Sequence, residues 1–198
     1  VHMKKLILFL LIIVLAVSGC RTGKVSFSAG PPEPVTEKKQ TALPNNSQQQ
    51  EKIDFSKPET WILGYFSPER LNRQPHSTWF IPGYDNYQYN EEVVRKLLDL
   101  DRNDVSILIV MGTWCPDSRR EVPRFMKILT AINFPIDRVK FLGVDNTKYT
   151  PVENYEALNI QRVPTFIFYV KNIEAGRIIE NPSTSLEQDM LNILTLKE

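Results

Sequence analysis

Cys115 is the side chain with the most chemistry to offer. It stands in Trp114-Cys115-Pro116-Asp117-Ser118, after the apolar run Val105 to Met111 and before a segment in which Val122, Phe125, Met126 and Leu129 recur at three-to-four spacing. The first pattern predicts a buried strand, the second an amphipathic helix with Pro116 at its first position. The thiol then sits at a helix N-terminus, where unpaired N–H groups carry a partial positive charge that favours thiolate, the nucleophilic form. Arg119 adds to that field and Asp117 opposes it, so the residues alone leave the net effect open. They also leave open a duller role, a buried Cys that only packs.

Little else in the chain has catalytic chemistry. The sequence has two Cys and two His, and His76 is the only His in the folded part, so a zinc site lacks ligands of the usual kind. No Gly-rich phosphate motif occurs, and neither a metal nor a cofactor is implied. With 24 Lys+Arg against 23 Asp+Glu, the formal charge of +1 gives no broad attraction to nucleic acid. Two Cys cannot build the disulfide framework of a small secreted scaffold. Arg119-Arg120-Glu121 reads as a solvated helix face rather than a recognition patch. His76 lies among Trp79, Phe80, Tyr84, Tyr87 and Tyr89, which admits either a ligand groove beside Cys115 or the packing of a long insertion.

A length of 198 residues with 42% hydrophobic content suggests one folded domain with appendages. Met3-Lys4-Lys5 is a basic start, and Leu6 to Val17 is an unbroken apolar run of twelve. Twelve helical residues rise about 18 Å, short of a hydrocarbon core of roughly 30 Å, so residues 1–19 read as a signal peptide rather than a permanent span. The run ends in Val17-Ser18-Gly19-Cys20, which resembles a bacterial lipobox and implies lipidation of Cys20. An ordinary signal peptide followed by a chance Cys is the alternative, and a plain hydrophobic anchor is a weaker third choice. Cys20 and the Pro-, Asn- and Gln-rich stretch to residue 52 read as a flexible tether with a mean reach of about 30 Å. Residues 53–198 remain for the domain.

That domain opens with an apolar strand at Trp61 to Phe66 and continues through an irregular, aromatic-rich insertion over about 67–90. Asn90-Glu91-Glu92 begins a helix with an N-cap side chain, and the Val105 strand and the Cys115 helix follow. Val139 to Val144 reads as a strand, and Thr150-Pro151-Val152-Glu153 as a capping box opening a short helix. Thr165 to Val170 and Ile178-Ile179 suggest a strand pair. The last helix starts at Ser185 and buries Leu186, Met190, Ile193 and Leu194. The order βαβαβαββα describes an α/β domain, a central mixed β-sheet flanked by helices and covered on both faces.

Together with Trp114-Cys115-Pro116-Asp117-Ser118 and Val163-Pro164-Thr165, this order resembles the thioredoxin fold over about residues 59–198. Pro123, eight residues after Cys115, matches the family's helix-kinking Pro, and Ile160 to Phe166 matches its apolar-x-x-apolar-Pro-Thr signature. The resemblance implies a cis Pro164 facing a nucleophilic Cys115, with Trp114, Pro116, Val163 and Pro164 shaping a peptide-binding site. It also implies that the Val163 backbone pairs with an extended substrate. Two positions depart from the family. Ser118 stands three residues after Cys115, where redox members have a second Cys, and Ile109 stands where many have a buried Asp that assists the second thiol. A hydroxyl cannot release a mixed disulfide.

The resemblance therefore implies thiol-disulfide exchange of a monothiol, isomerase or reductase type, with Cys115 as nucleophile and Ser118 as a hydrogen-bond partner of its sulfur. Expected partners are envelope proteins with thiols or disulfides, an external thiol reductant, and the membrane through the N-terminal lipid, but not nucleic acid. The expected location is the bacterial cell envelope, facing the periplasm. A non-catalytic peptide- or partner-binding lipoprotein is the competing reading. Thr113 has the wrong spacing for the Thr-x-x-Cys of peroxiredoxins, which argues against peroxide reduction.

Overall fold

The computed structural model describes residues 52–195. The expected signal peptide, Cys20 and nearly all of the expected tether lie outside these residues. Among those described, five strands, β1 (Gly64–Phe66), β2 (Val105–Met111), β3 (Val139–Gly143), β4 (Thr165–Val170) and β5 (Ile173–Ile179), form one sheet in the order β1-β3-β2-β4-β5. Only β2 and β3 pair in parallel; β1 runs antiparallel to β3, and β4 runs antiparallel to both β2 and β5. The helices are α1 (Ser77–Asn86), α2 (Glu91–Asp99), α3 (Pro116–Ala131) and α4 (Leu186–Thr195). None of the described helices is long and apolar enough to cross a membrane.

The period-two alternation of the central strands divides the core. Ile107, Ile109, Phe166, Phe168 and Ile178 join buried residues of all four helices in one cluster. Leu108, Val110, Leu142 and Ile167 point to the other face, where Tyr155, Val163 and the partly buried Val152, Leu158 and Ile160 pack on them. The helices' buried residues thus gather on one face, and the segment between β3 and β4 covers the second. The antiparallel direction of β1 permits this arrangement, because its link to β2 is not a parallel crossover bound to one hand.

Several local expectations hold. The Asn90 side chain accepts from the N–H groups of Glu92 and Val93 at 3.0 and 3.3 Å and caps α2. Ser185 Oγ accepts from Gln188 N–H at 3.3 Å at the start of α4. Two expectations need correction. The helix expected at Thr150 is a single 3-10 turn, Tyr155–Leu158, bounded by left-handed Asn154 and Asn159. Thr150 Oγ1 accepts instead from Gly64 N–H at 3.0 Å, so the side chain that would cap a helix holds β1. The insertion over 67–90 contains a ten-residue helix, α1, with Pro82 inside it. At Gly83 this helix crosses α3 so closely that a Cβ would stand 2.7 Å from Pro123 Cγ.

Candidate functional site

Strand β2 ends at Met111, and four residues carry the chain to α3. Gly112 N–H donates to Ser118 Oγ at 3.3 Å, and Cys115 N–H donates to Gly112 O at 2.9 Å. Gly112 is required by close approach, since a Cβ there would meet the Trp114 indole at 2.4 Å. The indole is fixed by a 3.0 Å bond from Nε1 to Val144 O and packs against Trp61 with ring centroids 6.4 Å apart. Thr113 Oγ1 accepts from Ile62 N–H at 3.2 Å and donates to Thr60 O at 3.3 Å, which fastens the segment before β1 to the site. Thr113 and Trp61 were not legible as site residues, because their partners are some fifty positions away along the chain.

Cys115 is the N-cap residue of α3, with Pro116 exposed at the first helical position. Its side chain is 6% exposed, and its Sγ donates to Val163 O at 3.3 Å. The Val163–Pro164 peptide bond is cis, as the resemblance implied, and both residues are buried. Trp114, Cys115, Pro116, Val163 and Pro164 therefore come together from two parts of the chain. The Pro164 carbonyl is occupied by Glu180 N–H at 2.7 Å, and Thr165 Oγ1 donates to Arg162 O at 2.7 Å, so the loop before β4 is held from both sides.

Ser118 is wholly buried, and its hydroxyl oxygen is engaged by Gly112 N–H; the expected bond to sulfur is not among its contacts. Asp117 pairs with Arg120 at 2.7 Å, which offsets the carboxylate charge in the first turn of α3. Arg119 does not reach the sulfur, its guanidinium lying over the Phe55 ring at 4.8 Å. Arg120 also bonds Glu121 at 2.5 Å and reaches Asn181, so this helix face is part of an ionic network rather than a purely solvated one. Ile109 is fully buried between Phe141 and Phe166, an apolar environment where the family's Asp would stand.

The aromatic insertion divides into parts. Phe80 belongs to the core with partly buried Trp79, Tyr87 and Tyr89 against it, and Tyr87 OH donates to the buried Glu187 at 2.8 Å. Burial and that carboxylate hold the Tyr87 phenol well above its ordinary range. Phe80, Ile81 and Tyr84 line a cavity of about 440 Å³ with Met126, Leu129 and Phe134. Leu129 lies fourteen residues beyond Cys115, about 20 Å along the helix, so this groove is not beside the thiol. His76 lies elsewhere, with Phe55 and Trp79 at 5.9 and 6.0 Å between ring centroids. Among the described residues no group of three or more His, Cys, Asp or Glu is arranged to hold a metal ion.

A family model described as Thioredoxin matches residues 76–191. Among solved structures, the chain is similar to the 1.5 Å crystal structure of a protein of unknown function from Pseudomonas aeruginosa, at 13% identity and a TM-score of 0.40. That similarity covers 57% of this chain and 65% of the other, so it spans less than two thirds of that protein's length. No curated protein matches the chain.

Proposed function

Because the chain belongs to the thioredoxin family, we propose that it acts in thiol-disulfide exchange through the single thiol of Cys115. The observation that carries this reading is the position of Cys115 Sγ, at the N-terminus of α3 and 3.3 Å from Val163 O beside the cis bond to Pro164. The reacting species in this reading is the thiolate of Cys115. The thiolate attacks one sulfur of a substrate disulfide; a mixed disulfide forms and the other substrate sulfur leaves as thiolate. Ser118 has no thiol to resolve that intermediate. An external thiol completes the cycle, so isomerisation or reduction of mixed disulfides fits better than autonomous oxidation. Trp114, Pro116, Val163 and Pro164 are the walls of the substrate site in this reading.

The proposal extends to location: Cys20 carries a lipid that anchors the domain in a bacterial envelope, facing the periplasm, with envelope proteins bearing thiols or disulfides as partners. A second reading, a non-catalytic peptide- or partner-binding lipoprotein, draws on the burial of Cys115 and the occupation of its thiol by Val163 O. Incubation with a peptide disulfide, followed by mass spectrometry without reductant, separates the two. The expected result is a covalent adduct on the wild-type chain and none on Cys115→Ser. An adduct that persists in Cys115→Ala sinks the exchange reading, and thiol-independent binding that survives Cys115→Ser favours the second.

A further inference from the structure

A cavity of about 250 Å³ lies on the Trp61 side of the site, and Trp61, Arg70, Arg73 and His76 are among its lining residues. It adjoins the thiol's own loop: Trp61 packs on Trp114, and the neighbouring Thr60 carbonyl accepts from Thr113. Arg70 and Arg73 are exposed, and neither forms an ion pair among the described residues. Glu59 also lines the cavity, leaving two guanidinium groups against one carboxylate. His76 is only 6% exposed, and its Nδ1 is buried without a hydrogen-bond partner. That nitrogen is sealed from water, so the imidazole closes the cavity as a wall and the charge that faces an incoming group comes from Arg70 and Arg73. Burial and the charge of Arg70 hold His76 below its ordinary range, so near neutral pH it is an uncharged imidazole.

We propose that this cavity binds the carboxylate of a small acidic thiol, the external thiol that releases Cys115 from its mixed disulfide. The inference rests on the exchange reading above and names the chemical class of its second substrate. Arg70 and Arg73 attract and hold the carboxylate, and Trp61, which lines the cavity and packs on Trp114, joins it to the loop that carries Cys115. The bound thiolate attacks the substrate-side sulfur of the mixed disulfide. A new sulfur-sulfur bond forms, the bond to Cys115 breaks, and Cys115 leaves with the electron pair and takes a proton from water. One disulfide replaces another, so no further oxidant or reductant is consumed.

The test uses the described domain within the full chain, with Cys115 capped as its mixed disulfide with 2-mercaptoethanol. Release of the cap by mercaptosuccinate, 2-mercaptoethanol and cysteamine is followed by mass spectrometry, each rate divided by that thiol's rate on 2-hydroxyethyl disulfide. Mercaptosuccinate should exceed 2-mercaptoethanol by about fivefold or more and cysteamine should fall below it, a preference that shrinks between about 0.05 and 0.5 M salt. The double variant Arg70→Gln/Arg73→Gln should abolish the preference. Equal normalised rates, or a preference that survives the double variant, overturn the proposal while leaving exchange at Cys115 intact. If the cap cannot be installed, the exchange reading fails, and titration of Cys115→Ser with succinate decides the anion site independently. Saturable binding lost in the double variant supports a carboxylate site; its absence overturns it.

Discussion

At the scale of single residues, the proposed exchange turns on the pairing of a thiol with a hydroxyl that cannot complete its cycle. Ser118 is buried under Gly112 N–H, one helical turn from Cys115, where the resemblance to dithiol members of the family implies a resolving thiol. Replacing it by Cys changes one atom without adding bulk beyond the sulfur. In Ser118→Cys, mixed disulfides with a peptide probe should decay without added thiol, because resolution becomes intramolecular. Adduct lifetime read by mass spectrometry checks this, and a lifetime equal to wild type means position 118 cannot reach the intermediate.

At the scale of elements, the site depends on how β1 and the segment before it are fastened. Thr150 is 1% exposed, and its hydroxyl receives Gly64 N–H, while Thr113 receives Ile62 N–H. These bonds set Trp61 against Trp114. Thr150→Val keeps the shape and removes the acceptor, which leaves a part-buried N–H unpaired and should cost about 1–3 kcal/mol in urea unfolding. A loss well below that range would mean that water replaces the hydroxyl. The same substitution should leave α2 and α4 intact, since their caps are Asn90 and Ser185.

At the scale of the whole molecule, pH dependence follows from groups the fold keeps uncharged. His76 is held neutral chiefly by burial, with its folded value below the unfolded 6.5. Below about pH 6.5 the unfolded chain binds a proton that the folded chain refuses, so stability falls as the pH drops from there towards the folded value. The opposite limb comes from the phenols. Burial pushes Tyr155 up to about 12 and raises Tyr87, so above about pH 10 the unfolded chain loses protons that the folded chain retains, and stability falls again. Urea unfolding across pH should show a plateau between these limits, and His76→Phe should flatten the acidic limb. An acidic limb unchanged in that variant would assign it to the carboxylates.

The sequence by itself determined the strand, thiol and helix around Cys115, the Asn90 and Ser185 caps, and the cis bond before Pro164. Each of these is written in a short window: alternation for a strand, three-to-four spacing for a helix, a side-chain oxygen before it, and the Val163-Pro164-Thr165 signature by likeness to a family. Tertiary structure decided the rest. The insertion over about 67–90 reads locally as irregular, yet packing on α3 at Pro123 accompanies a helix that includes Pro82 and Gly83. Thr150 reads as a cap, yet the N–H of Gly64, distant in sequence, claims its hydroxyl. The antiparallel β1, the Trp61–Trp114 contact and the grouping of Arg70, Arg73 and His76 around one cavity likewise unite residues beyond any local window. A periodicity states which face of an element is apolar; only the folded chain determines which partner meets that face and which polar atoms are left to be satisfied.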